Sequence, residues 1–242
     1  MITLSLVCSR AVYAGAGASA IADTDTQAKP IRNTINVAFV DAPPFSYLDS
    51  ETRESGTLIE LFREVAQQLA LEPVFIYVPH KRQLEFIKDG QVDMWAGQKN
   101  SRIGDDISIT SSTPLFSMEL RAFWNKGQTG LASIDALHGK PLILISSYSY
   151  GGWYQTLRDN SPQVQYAINH ENGFEKLFAS KRAYLLGYTS IANEVFQKYQ
   201  VNNFESAPLS IYPLHLKLAN HFPNAESFMI RINHYLANRP LD

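Results

Sequence analysis

Asp89-Gly-Gln-Val-Asp93-Met-Trp-Ala-Gly97-Gln-Lys-Asn-Ser-Arg102 is the stretch on which the reading of the fold turns. Asp89-Gly90 is a polar turn that closes a helix, Val92 to Ala96 reads as a short buried strand, and Gly97 opens a polar loop ending in Arg102. In open α/β sheets ligands sit outside the carboxyl ends of the strands. Gly97 followed by the donors Gln98, Asn100, Ser101 and Arg102 therefore places a binding loop where a small solute would be held.

Upstream, Ile35 to Val40 is an apolar strand that runs into Asp41-Ala-Pro43-Pro44-Phe45-Ser46-Tyr47. Two prolines cannot continue a ladder, so the chain turns there and presents Asp41, Phe45 and Tyr47 at the strand's carboxyl end. The two aromatics suit either a ligand platform or a plug over the core. After Gly56, Leu58, Leu61, Phe62, Val65, Ala66 and Leu69 form the stripe of an amphipathic helix. Pro73 to Val78 is a second strand, Lys81 to Asp89 a second helix, and Val92 to Ala96 the third strand. This alternation predicts right-handed crossovers and a parallel sheet, with the loops after Val40, Val78 and Ala96 on one edge.

Downstream, a polar stretch from Asp105 to Thr113 precedes an aromatic-rich strand, Phe116 to Trp124, and Lys126-Gly-Gln-Thr-Gly130 has the composition of a linker. The alternation then restarts. Ser133 to Leu137 is a short helix, Leu142 to Ile145 a strand, Gly152 to Asp159 a helix, Val164 to Ile168 a strand, Glu171 to Ala179 a helix and Tyr184 to Leu186 a strand. Thr189 caps a helix reaching Tyr199, Leu214 to Ala219 is the last strand, and Ala225 to Asn238 the last helix. Two α/β lobes follow from this order: residues 33–122 with 214–242, and residues 123–213 between them. One sheet continuous through both would contradict that division. Of the aromatics near the cleft loops, Phe45, Tyr47, Trp95, Tyr148 and Tyr150, some line a pocket and the others are core.

With 242 residues, 45% hydrophobic, and a formal charge of −2, nothing electrostatic favours nucleic acid as a partner. No apolar run is long enough to span a bilayer. The only cysteine, Cys8, lies in a leader-like segment, which excludes a disulfide framework and a cysteine nucleophile in the body. Ile2 to Val7 followed by small residues to Ala18-Ser-Ala20 reads as a signal peptide over residues 1–20, without a basic residue ahead of its apolar run. Gly15-x-Gly17-x-x-Ala20 has dinucleotide-fingerprint spacing, but no strand precedes it, so no cofactor is inferred.

Pro43-Pro-Phe-Ser-Tyr47, Gly56 with its helix to Leu71, Leu84 through Gly90 and Asp93, and Ser133-Ile-Asp-Ala-Leu-His-Gly-Lys140 before an apolar strand share an order and spacing. Together they resemble the bacterial extracellular solute-binding proteins of family 3, the polar amino-acid class, over nearly the whole body. The resemblance implies a two-lobed, type 2 periplasmic-binding-protein-like α/β fold with two crossover hinge segments, here near Ala122 to Lys126 and Ala207 to Pro213. It also implies a periplasmic monomer that closes over a small-molecule ligand and hands it to a membrane ABC transporter permease. The arginine with which that family grips a ligand carboxylate matches Arg102, and the small-residue turn after the first strand of the second lobe matches Ser146-Ser147, ahead of Tyr148 and Tyr150. The family's late acidic residue has no counterpart in Tyr184-Leu-Leu-Gly-Tyr-Thr189, which argues against an ordinary α-amino acid. A guanidinium fork suits a carboxylate in two parallel bonds; the plainer alternative pairs Arg102 with Asp105 or Asp106 on an exposed loop. The ligand-binding set is thus Asp41, Phe45, Tyr47, Trp95, Gly97, Gln98, Arg102, Ser146, Ser147, Tyr148, Tyr150 and Thr189.

An enzyme on the same fold is the competing class, since some relatives of these proteins are dehydratases of small ring acids. Catalysis would need a paired acid and base, a nucleophile with its base, or a metal. The sequence has no Gly-x-Ser-x-Gly, no phosphate loop and no His-x-x-x-His, and Glu60 and Glu64 read as a solvated helix face. Neither a catalytic residue nor a metal ligand is assigned. A ligand-sensing domain is the third class.

Overall fold

The computed structural model describes residues 32–79, 82–99, 106–146, 148–200 and 202–239; the leader, Asn100 to Arg102 and Ser147 lie outside the described residues. The apolar run at Ile35 forms β1 (Thr34–Phe39), which leads through the proline turn into a small hairpin of β2 (Tyr47–Leu48) and β3 (Glu54–Ser55). α1 (Thr57–Gln68) buries Leu58, Ile59, Leu61, Phe62, Val65 and Ala66, the stripe its spacing predicts. β4 (Glu72–Tyr77), α2 (Gln83–Lys88) and β5 (Met94–Gln98) follow, and β1 lies parallel to both β4 and β5, as the crossovers require. Gly90 ends α2 at a φ of 71°: its N–H bonds to Ile87 O at 3.1 Å and that of Gln91 to Phe86 O at 2.9 Å, so two terminal carbonyls are satisfied.

β6 (Ser108–Asn125) is 18 residues long. The second half of the molecule follows as β7 (Leu142–Ile145), α3 (Tyr154–Asp159), β8 (Val164–Ala167), α4 (His170–Ala179), β9 (Tyr184–Tyr188) and α5 (Thr189–Tyr199). β10 (Phe204–Ala219), 16 residues long, then returns to the first half, and α6 (Ala225–Asn238) closes the fold.

All strands but the hairpin belong to one ladder, in the order β4-β1-β5-β10-β6-β9-β7-β8, and contacts divide residues 31–242 no further. The sheet is therefore continuous where two separate ones were expected. β6 and β10 run antiparallel from Asn125 opposite Phe204 to Ser108 opposite Ala219; the expected crossing near residues 207–213 lies within β10, and the one near 122–126 spans the end of β6. Register shifts at Pro208/Ser210 and around His215 mark where prolines and polar residues are accommodated. The same long pairing corrects two local expectations. The polar stretch up to Thr113 is largely strand from Ser108 on, and β5 runs to Gln98, so that Gly97 faces His215 and Gln98 faces Leu214 instead of opening a loop.

The buried side chains gather into separate clusters in the two halves, bridged by Phe45, which packs against one cluster of each. In the first half Phe62, Val65, Leu218 and Ile232 pack on one face of the sheet, and Val78, Ile87, Val92 and Trp95 on the other. In the second half Leu142 and Leu144 pack with Leu157 and Leu186, whereas Ile143 and Ile145 pack with Phe174 and Leu185, the alternation of a strand buried on both faces. Asp93, fully buried, pins the first half: Arg32 donates to it at 3.0 and 2.9 Å and the Asn36 N–H at 2.8 Å, with His221 Nε2 at 3.2 Å. Thr189 does not cap α5; its hydroxyl donates instead to Glu119 Oε1 at 2.8 Å.

Candidate functional site

A cavity of about 150 Å³ opens at the carboxyl ends of β1 and β5, where the first half meets the second. Its position follows from local chemistry. The Pro43-Pro44 turn folds back so that the carbonyls of Pro44 and Phe45 accept the Thr57 and Leu58 N–H groups at 3.2 and 2.8 Å, two donors that the start of α1 leaves open. Gly56 makes this possible: its φ is 116°, and an added Cβ would run into the Phe45 carbonyl. Phe45 is thereby aimed at the cavity, stacked on Phe116 of β6 with ring centroids 4.5 Å apart and planes at 9°. β5 contributes Trp95, Gly97 and Gln98, and the long strands contribute Phe116, Met118 and Leu214. The second half supplies Tyr148, Ser149, Tyr188 and Ile191. Gln83, at the start of α2, and Ser46 add polar groups, the latter with its hydroxyl donating to Val40 O at 2.7 Å.

The second-half wall is an aromatic cluster centred on Tyr148, whose ring centroid lies 5.2 Å from that of Tyr188 and 5.5 Å from that of His170. Burial pushes both tyrosine hydroxyls well above their ordinary range, Tyr148 being raised further by Tyr188 and Asp41. Gln98 of β5 and Tyr188 of β9 line the cavity from the two halves. His170 is buried, and burial pushes it down to about 3, so the ring is neutral at physiological pH. Behind Gly97, Lys217 is fully buried, its Cε 3.1 Å from where a Cβ on that glycine would stand, and burial lowers its ammonium to about 8. Among the described residues that line the cavity none is an acid, a lysine or an arginine, and no group of three or more His, Cys, Asp or Glu could hold a metal.

A family model for bacterial extracellular solute-binding proteins, family 3, matches residues 35–181, more than half of the chain. This chain is a family 3 solute-binding protein. No curated protein matches it. Solved structures of the same fold include a histidine kinase sensor domain with similarity to periplasmic binding proteins, at 15% identity and a TM-score of 0.70, covering 85% of this chain and 90% of that one. An ancestral arginine-binding protein bound to arginine is 18% identical with a TM-score of 0.67, over 85% and 92% of the two chains. The GluR0 ligand-binding core in complex with L-glutamate is 14% identical with a TM-score of 0.70, over 85% and 93%. The fold is the type 2 periplasmic-binding-protein fold.

Within this solute-binding protein the structure brings Phe45, Trp95, Gly97, Gln98 and Tyr148 together around the cavity and sends five other expected residues elsewhere. Asp41 is exposed beyond the end of β1, Tyr47 is tied into the β2–β3 hairpin, and the Ser146 hydroxyl donates to Ala167 O at 3.2 Å. Tyr150 is core, its hydroxyl accepting the Ile145 N–H at 2.6 Å, and Thr189 is engaged by Glu119. Arg102 and Ser147 lie outside the described residues. Sequence reasoning missed Gln83, Phe116, Met118, Tyr188, Ile191 and Leu214. Phe116 and Met118 alternate along a strand already read as aromatic-rich; Tyr188 gave no signal beyond following Leu185-Leu186-Gly187.

Proposed function

We propose that this chain is a periplasmic solute-binding protein. It captures a small polar or carboxylate-bearing molecule in the cavity between its halves and delivers it to a membrane ABC transporter. The observation that carries the reading is a cavity walled by both halves, with Phe45, Trp95 and Gln98 on one side and Tyr148 and Tyr188 on the other. A ligand held by both sides favours the closed arrangement by its differential affinity for it. The continuous sheet rules out two lobes with separate sheets; the division we keep, residues 33–122 with 214–242 against 123–213, rests on the separate side-chain clusters and makes the shared β6–β10 ribbon the hinge. The protein acts as an exported monomer, and as a binder instead of an enzyme.

A thermal-shift screen of amino acids, small carboxylic acids, amines and sugars tests this directly. A ligand at a hundred times its Kd adds about 2.7 kcal/mol, which a melting curve resolves, and scattering should report a smaller radius with it bound. Turnover of a hit would replace the binder with an enzyme, and binding without any change in radius would remove the closure. The likeness to a histidine kinase sensor domain supports a second reading, ligand sensing. Deleting the gene separates them: loss of uptake of the hit marks transport, and a transcriptional response lost without loss of uptake marks sensing.

A further inference from the structure

One hydrogen-bond donor in the cavity wall has no partner among the described residues, and the tautomer of a neighbouring histidine leaves a second without an acceptor. Trp95 is 1% exposed and its Nε1–H has no partner. That atom lies beside Gly97, 3.6 Å from where a Cβ on the glycine would stand, and both residues line the cavity. A buried indole N–H ordinarily finds an acceptor, and leaving it unmet costs about 1–3 kcal/mol.

Tyr148 supplies the second donor. His170 Nε2 accepts the Tyr188 N–H at 3.0 Å, so the neutral ring carries its proton on Nδ1. Nδ1 faces the Tyr148 hydroxyl at 3.5 Å. As a donor it cannot accept the hydroxyl's proton, which is left to turn toward the cavity that Tyr148 lines. Gly187 is part of the arrangement: a Cβ there would stand 2.8 Å from His170 Nε2 and displace the ring that fixes the direction of the bond.

The apolar remainder of the wall sets the body of the ligand. A cavity of about 150 Å³, with the Phe45–Phe116 stack on one side and Tyr148 and Tyr188 on another, has the capacity that holds one benzene-sized ring. No described lining residue offers a carboxylate to an ammonium group.

Resting on the solute-binding reading above, we infer that the ligand is a single-ring compound bearing a carboxylate or carbonyl acceptor, received by Trp95 Nε1–H from one half and the Tyr148 hydroxyl from the other. His170 is a positioning residue that makes Tyr148 a donor toward the ligand.

Three probes of one size test the class by calorimetric titration: benzoate, acetophenone and benzylamine. Acetophenone carries an acceptor without charge, so its binding does not depend on Arg102. Benzoate and acetophenone are expected to bind at least about tenfold more tightly than benzylamine, and Tyr148→Phe and Trp95→Phe each to weaken acetophenone by about tenfold, the loss of one hydrogen bond. In ¹⁵N spectra of histidine-labelled protein, His170 is expected as the neutral Nδ1–H tautomer. Preference for benzylamine, no binding by any of the three, or unchanged acetophenone affinity in both variants would overturn the ligand class. An Nε2–H tautomer would overturn the role of His170. A screen hit that is an amine lacking an acceptor would leave solute binding standing and remove this inference alone.

Discussion

His170 makes the stability of this protein depend on pH in a way that one substitution isolates. Burial depresses its folded-state pKa from 6.5 to about 3, so in the acid range the unfolded chain binds a proton that the folded chain refuses. Stability from this group is therefore fully present above about pH 6.5 and is lost as pH falls toward 3. Between about pH 7 and pH 4.5 the loss integrates to about 2–3 kcal/mol, a large share of the stability of an ordinary domain. Glu119, Asp49 and Asp159, whose carboxyls are held low by hydrogen bonds and by Arg121, Arg53 and Arg158, weaken the protein over part of the same range, so the wild type alone does not isolate His170. His170→Gln keeps an amide oxygen for the Tyr188 N–H and has no titration. Urea unfolding of both proteins at both pH values gives the double difference: the wild type should lose about 2–3 kcal/mol more than the variant. Equal losses would refute the reasoning, and would mean that the ring is either protonated in the fold or open to water.

Gly56→Ala should lower stability by about 1–3 kcal/mol, because it combines a strained φ with a collision against the Phe45 carbonyl; an unchanged melting temperature would show that the turn relaxes freely. Lys217 is depressed from 10.5 to about 8, so the folded chain sheds a proton before the unfolded one does. Relative to Lys217→Met, the wild type should gain stability as pH rises from about 8 to about 10.5, and a flat difference would show an ordinary lysine. Arg102→Lys should weaken a carboxylate ligand while leaving the melting temperature of the empty protein nearly unchanged, since lysine lacks the planar fork; unaltered affinity would assign the charge pairing elsewhere.

The elements legible in the sequence were those whose signal is local. α1 and α6 follow from apolar spacing, the parallel arrangement of β1, β4 and β5 from alternation, and the end of α2 from Gly90. What was not legible depends on partners far along the chain. Ser108 to Thr113 has no apolar period, yet it extends because β10 offers it a ladder and because the Ser111 hydroxyl accepts the Leu216 N–H at 3.1 Å. β5 reaches Gln98 for the same reason. At the site, Phe45, Trp95 and Tyr148 were legible as aromatics at strand ends. Tyr150, two residues past Tyr148, was not separable from it, because only the left-handed backbone at Tyr150, with a φ of 52°, turns its ring into the core. The His170–Tyr148 relation joins α4 to the turn after β7, and no spacing in the sequence announces it.

The place of β10 in the sheet has a consequence for a chain that emerges from the ribosome N-terminus first. β10 is the last strand made, yet it lies between β5 and β6, both made much earlier. Until about residue 219 has been synthesised, the edge of β5 from Met94 to Gln98 and that of β6 along Ser108 to Asn125 stay unpaired by their native neighbour. β7, β8 and β9 can meanwhile pair with one another, so the interior of the chain is able to mature before its beginning. Open edges of this kind are templates for association with other chains, and a late central strand lengthens the time for which they are open. A nascent chain destined for export unfolded would be spared that interval, because early folding of the first half is the step this topology denies it.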